Sequence, residues 1–222
     1  MINVAICTPT AGQVQAAYAV SLTSMVVQFL SNPILGLEKE SRGIQQQLVI
    51  GANIGQNRDN MVDTALATGC THILFIDDDM GFAPDCLSLA LCRQQPVVLA
   101  NYRRKTPPCQ FTATKMDKDE NVFELLTTKD STSLEECYYG GFGFCLISAE
   151  VLQAIPKPRF MMYWVPQCES YTTEDKPFFE QVHKAGFPVF IDQELSKRVW
   201  HVGPFNYQWS DNVPAYKATN PQ

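Results

Sequence analysis

Several features that would settle a function outright are missing from this chain of 222 residues. It has no apolar run fit to cross a membrane. The longest, Ala16 to Leu30, is interrupted by Ser21, Thr23, Ser24 and Gln28, whereas a span needs about 20 consecutive apolar residues. No secretory leader is visible either, because the N-terminus runs directly into Ile2-Asn3-Val4-Ala5-Ile6-Cys7, which reads as a strand. Basic residues are not in excess: 17 Lys and Arg face 23 Asp and Glu, a net charge of −6. That argues against nucleic acid as a partner, since such proteins need a basic face to replace counterions. The eight cysteines include no C-x-x-C pair, and Cys7 and Cys145 lie inside apolar runs where a reduced thiol behaves as a small hydrophobe. A reducing compartment, the cytoplasm (of a host cell if the source is viral), is therefore expected rather than a disulfide framework. No repeat, low-complexity tract or linker is found, and the length suits one domain with a substantial core.

What is present in the first half is alternation. Strand signals at Ile2–Cys7, residues 47–51, Thr71–Ile76 and Pro96–Ala100 are separated by helical spacing. The helices are expected through Val14 to Phe29, over Asn57–Ala67 and from Pro84 through Cys92. This predicts an α/β fold with a mainly parallel central sheet and helices on both faces. Ligands of such sheets gather at the carboxyl ends of the strands, so the loops after Cys7 and Ile76 should open on one edge. The second half predicts a smaller antiparallel part. It has short strands at Gln110–Thr114 and Val122–Leu126, a glycine-aromatic run Tyr138–Phe144, and a proline-spaced aromatic loop over residues 156–166. Helices are expected at Ala149–Ala154, capped by Ser148, and at Glu174–Ala185, capped by Thr173 and stopped by Gly186; Phe187–Ile191 and Arg198–Val202 close the pattern as strands. Residues 1–105 thus read as the alternating half of one domain, 106–205 as its more antiparallel half and 206–222 as a tail.

The most informative segment is His72-Ile73-Leu74-Phe75-Ile76-Asp77-Asp78-Asp79-Met80. An apolar strand ends in three acids, which repel and raise one another's pKa unless a cation lies among them. Mg2+ or Mn2+ favours such oxygen ligands and takes others from substrate phosphates. In an extended segment Asp77 and Asp79 would point to the same side. The plainer alternative is an Asx-rich turn leading to the helix near Pro84. Competing motifs fail. There is no G-x-x-x-x-G-K-[ST], and position twelve of an EF-hand loop beginning at Asp77 is Ser88, not Glu. The loop after the first strand is Thr8-Pro9-Thr10-Ala11-Gly12, not the Gly- and Arg-rich loop of a sugar-nucleotide pyrophosphorylase.

Four motifs in order carry a resemblance: Thr8-Pro9-Thr10, Asn57-Arg58-Asp59-Asn60, Phe75 to Met80, and Thr173-Glu174-Asp175. Over nearly its whole length the chain resembles nucleotide-sugar glycosyltransferases of the GT-A fold, particularly small family-2-like members common in phages and large viruses. The resemblance implies that Thr8, Pro9 and Thr10 line a nucleoside pocket and that Arg58 holds the base or diphosphate. It implies that Asp77 meets the ribose or the outer sphere of the metal, and that Asp79 binds Mn2+ or Mg2+ directly, with His201 as a further ligand. Asp78 would reach the ribose. The glycine run, with Gly141 and Phe142, would lie beside the donor sugar, and Trp164 and Tyr163 would form an acceptor wall. Arg103, Arg104 and Lys105 are candidates to reach phosphate.

Glu174 and Asp175 match the position where an acid of this family faces the acceptor hydroxyl. An alcohol is a poor nucleophile at neutral pH, and a carboxylate in reach can take its proton during attack. The alternative is two acids complementing a helix dipole, for which one would suffice. Asp175 is assigned as the base and Glu174 as a hydrogen-bonding or capping residue. The expected activity is metal-dependent transfer of a sugar from a nucleoside diphosphate, a UDP-sugar in the first instance, to a hydroxyl on a glycan or glycoprotein. A nucleotide-sugar-binding module without turnover and a sugar nucleotidyltransferase are the other readings. Donor sugar, stereochemical outcome and oligomeric state are left open by the sequence.

Overall fold

The computed structural model describes residues 1–34, 41–166, 169–204 and 206–210; Gly36, Cys168 and the tail beyond residue 210 lie outside them. Strand β1 (Ile2–Thr10) is buried without a break from Val4 onward, as a strand covered on both faces must be. It pairs in parallel with β2 (Arg42–Ile50) on one side and β3 (His72–Ile76) on the other. The crossovers are α1 (Ala16–Ser31) and α2 (Ile54–Ala67). Because side chains alternate along a strand, β1 and β3 supply two cores at once. Val4, Ile6, Leu74 and Ile76 pack under Tyr18, Leu22, Met25 and Phe29 of α1. Ala5, Cys7, Ile73 and Phe75 pack under Met61, Val62 and Ala65 of α2.

Beyond β3 the chain makes β4 (Met80–Phe82), α3 (Cys86–Cys92) and β5 (Val97–Leu99). The hairpin β6 (Thr114–Met116) and β7 (Val122–Glu124) follows, then β8 (Leu134–Glu136), β9 (Phe144–Ser148) and α4 (Ala149–Ala154). The last stretch holds β10 (Trp164–Val165), β11 (Ser170–Tyr171), α5 (Asp175–Lys184), β12 (Phe190–Asp192) and α6 (Gln193–Ser196), then β13 (Val199–Val202) and β14 (Asn206–Tyr207). The main sheet has the order β2-β1-β3-β9-β5-β12-β8. β9 is antiparallel to both β3 and β5, and β8 is antiparallel to β12, so five strands run one way and two the other. A smaller antiparallel sheet, β14-β13-β4, stands beside it. The α/β class expected from the sequence is the observed one.

Local differences have physical causes. The run 96–100 is the fifth strand rather than the fourth, because Met80–Phe82 leaves the main sheet to pair with β13. The strand expected at Gln110–Thr114 begins only at Thr114, since Phe111 bridges to Arg103 and the Ala113 amide donates to Asn101 Oδ1. Ser148 occupies the N-cap position of α4, but its hydroxyl makes no capping bond. Thr173 does not cap α5, whose N-cap position falls to Glu174. Gly186 does end that helix, at φ +83°, where a side chain would be strained. The seven described cysteines are unpaired and all but Cys92 are buried. No described helix is long and apolar enough to cross a membrane.

Candidate active site

The loops after β1 and β3 do open on one edge, tied by a 2.9 Å hydrogen bond from the Gln15 amide to the Asp78 carbonyl. Thr8, Pro9 and Thr10 form the buried end of β1; the Thr8 hydroxyl meets Tyr18 Oη at 2.5 Å, and Thr10 Oγ1 accepts from Gly12 N. The acidic run is not extended. The Met80 amide donates to the Asp77 carbonyl at 3.2 Å, closing a turn over Asp77–Met80. The same-side geometry expected of an extended segment is therefore corrected: the run is a turn, and Asp77 and Asp79 take different protein partners. Crowded like charges are relieved when each finds its own cation.

Asp77 turns to Arg58 on α2, with Oδ1 2.9 Å from Nη2. The other arm of the same guanidinium grips Glu174. Arg58 is 1 % exposed and stacks over Phe142, 4.6 Å from the ring centroid. The sequence placed Arg58 against a base or diphosphate; both its terminal nitrogens are instead spent on protein carboxylates. Desolvation works against its charge, but Asp77, Glu174 and Asp175 hold its pKa above the usual value. Its neighbours in the motif are also fasteners, Asn57 donating to the Gly51 carbonyl and Asp59 accepting from Arg159.

Asp79 takes other partners. Oδ2 lies 3.3 Å from His201 Nε2 and is ion-paired with Lys105, while Oδ1 is buried without any hydrogen-bond partner. Burial acts to raise its pKa, but His201 and Lys105 outweigh this and hold it below the carboxylate range. His201 comes from β13, opposite Met80 of β4, and the Val202 amide donates to the Asp79 carbonyl at 2.7 Å. His201 Nδ1 is 3.0 Å from the Arg103 carbonyl. A carbonyl only accepts, so Nδ1 carries a proton, and Nε2 is the ring nitrogen turned to Asp79. Among the described residues no three His, Cys, Asp or Glu side chains gather as a cage. An orphan carboxylate oxygen and an imidazole nitrogen nevertheless suit a Mg2+ or Mn2+ that takes its remaining ligands from phosphate and water.

Asp175 opens α5 and lines a cavity of about 400 Å³ with Tyr102, Arg104, Gly141, Thr173, Lys176 and His201. Burial, then the charges of Glu174 and Asp77, push its pKa up to about 7, although Arg58 and Arg104 pull it down. Asp77 is raised for the same first reason, burial. A carboxyl near neutrality on a cavity wall is suited to proton transfer. Glu174 is 8 % exposed and gripped by Arg58, so it positions its neighbour and does not face the cavity.

One expectation changes. Phe142 cannot stack on a sugar, because it is 1 % exposed and packed among Phe75, Phe160, Phe178 and Phe179. The close approach that the glycines permit is made by Tyr102, whose Oη accepts from the Gly143 amide at 2.9 Å; a Cβ on Gly141 or Gly143 would collide with that phenol. Tyr102 went unread in the sequence, although two glycines two apart mark one face of an extended segment left open for a neighbour. Trp164 sits on the β10–β11 hairpin, 49 % exposed and edge-on to Tyr171, outside the cavity wall but on the segment that leads into Thr172 and Thr173.

No protein-family model matches the chain, and no curated protein matches its sequence. Solved structures do match. The chain is similar to A197 from STIV, at TM-score 0.54 and 16 % identity, covering 99 % of this chain and 100 % of that one. It is also similar to GalNAc-T7, solved with UDP, GalNAc and Mn2+, at TM-score 0.57 and 9 % identity, covering 92 % of this chain and 44 % of that one. At such identities the likeness establishes the architecture, which is the GT-A fold that the motif order implied.

Proposed function

We propose that this chain is a glycosyltransferase that moves a sugar from a nucleoside diphosphate, with UDP-sugar as the expected donor, to a hydroxyl of a glycan or glycoprotein. The observation that carries the reading is Asp175, a carboxyl raised to about 7 in a cavity that also reaches His201, the partner of Asp79. A structure of the same architecture holding UDP, GalNAc and Mn2+ supports the donor class and the metal.

In this reading Asp79 and His201 hold Mn2+ or Mg2+, and Asp77 stays on Arg58. A divalent cation there supplies the charge that offsets the departing diphosphate. Thr8 to Thr10 and Asp78 border the nucleoside, Gly141 borders the sugar, and Trp164 with Tyr163 offers the acceptor an exposed aromatic surface. The acceptor hydroxyl gives its proton to the Asp175 carboxylate as its oxygen attacks the sugar. Arg58 keeps Glu174 and Asp77 in place around that carboxyl and so sets the field in which it titrates. Attack by direct displacement inverts the sugar's configuration.

The test is incubation with UDP-sugars, Mn2+ and either water or an acceptor, following UDP release. A transferase releases UDP slowly without acceptor. A binding module releases none, and a nucleotidyltransferase makes UTP when given pyrophosphate. Asp79→Ala is expected to abolish Mn2+-dependent binding of UDP in calorimetry, and unchanged binding would remove Asp79 from the site.

A further inference from the structure

Lys105, on the loop after β5, reaches one of the candidate metal ligands. Its ammonium is ion-paired with Asp79 Oδ2, the same oxygen that His201 Nε2 approaches at 3.3 Å. The other oxygen of that carboxylate, Oδ1, is buried and has no partner. A single positive charge thus already occupies one side of the group that a dication would need.

The backbone around Lys105 is held. The Arg104 amide donates to the Gln110 carbonyl at 2.8 Å, the Cys109 amide to the Thr106 carbonyl at 2.9 Å, and Arg103 bridges to Phe111. The aliphatic stem passes close to Gly203 at the end of β13, where a Cβ would lie 3.0 Å from Lys105 Cδ and 3.1 Å from Tyr207. A side chain at position 203 would crowd that passage. The loop is therefore fixed while the ammonium, at the end of a flexible stem with 35 % side-chain exposure, is free to change partner.

We infer that Lys105 is an exchangeable cation of the donor site: it neutralises Asp79 before the metal arrives and transfers to the donor's diphosphate when metal and nucleotide enter. The inference rests on the proposed function and adds a role for a residue outside the aspartate–histidine pair. Asp79 is partly buried, so leaving its charge unpaired would be costly, and Lys105 meets that need in the metal-free protein. A dication entering alone must displace or sit beside an ammonium, which repels it. When a diphosphate enters with it, the displaced ammonium gains an anion of its own. Metal and nucleotide should consequently strengthen each other's binding, by the same factor in both directions.

The experiment measures Mn2+ binding by electron paramagnetic resonance, with and without UDP, in the wild-type protein, Lys105→Met and Lys105→Arg. Thermal melting checks that all three fold. Lys105→Met is expected to bind Mn2+ alone about tenfold or more tightly, because the competing charge is gone. UDP should then strengthen Mn2+ binding less than it does in wild type, and UDP affinity at saturating Mn2+ should fall. Lys105→Arg keeps the charge and should leave Mn2+ alone bound as weakly as in wild type. Equal Mn2+ affinity in wild type and Lys105→Met, with normal Mn2+–UDP binding in both, overturns this inference and leaves the proposed function standing. Failure of the wild-type protein to bind Mn2+ even with UDP overturns both.

Discussion

Asp175 is held where a negative charge is costly, and the sign of that cost can be read out. Its pKa is about 7 in the folded chain and has the ordinary low value when unfolded. Between those values the folded state binds the extra proton, so Asp175 makes stability fall as pH rises through the window, and the loss is complete above about pH 7. Asp175→Asn carries no such charge. It is therefore expected to melt higher than wild type at about pH 8 and close to wild type near pH 4, in scanning calorimetry. Its transfer rate should drop by on the order of 10²-fold with donor affinity kept, whereas wild-type turnover should climb with pH through about 7. Asp175 and Asp79 could be singled out from Thr173-Glu174-Asp175 and from the acidic run after β3. The bridge that joins Glu174 to Asp77 could not, because nothing local says that both lie within reach of Arg58.

The aspartate turn and its partner strand form the second scale. Asp77–Met80 closes as a turn, β4 leaves it to pair with β13, and that pairing delivers His201 to Asp79. Gly81 lies opposite Trp200 in this ladder, and a Cβ there would land within the indole. Gly81→Ala is expected to spread the two strands, leaving the protein folded by circular dichroism but weakening its Mn2+-dependent UDP binding about tenfold or more, since ligand geometry is sensitive to small displacements. Unchanged binding would show that the β4–β13 pairing does not set the ligand distance. Helix α5 shows the same dependence. Its amphipathic pattern and its stop at Gly186 were readable, but its N-cap was misplaced, because Glu174 is recruited by a residue 116 positions earlier.

Across the whole molecule, the core and the site share residues. Phe142 sits among four other phenylalanine rings and beneath the Arg58 guanidinium, so the bridge to Asp77 and Glu174 is built on the core of the α2 side of the sheet. Phe142→Ala is expected to cost about 3–5 kcal/mol in urea unfolding and to shift the pH–rate profile as Arg58 loosens. Arg58→Met should cost about 3–5 kcal/mol by leaving the buried Glu174 carboxylate and the half-buried Asp77 unpaired. If either variant unfolds at the wild-type midpoint, the bridge is not part of the core. The sequence by itself determined the alternation of strands and helices, the two-faced burial of β1 and β3 and the edge on which the loops open, and it singled out Asp79, His201 and Asp175 as candidates. Those follow from period and local chemistry, which are written in neighbouring residues. Only the tertiary structure decided that β9 lies between β3 and β5, that Arg58 bridges Asp77 and Glu174, and that Lys105 rests on Asp79. Each depends on which distant charge or strand comes within hydrogen-bonding reach, a property of the folded packing that no local pattern encodes.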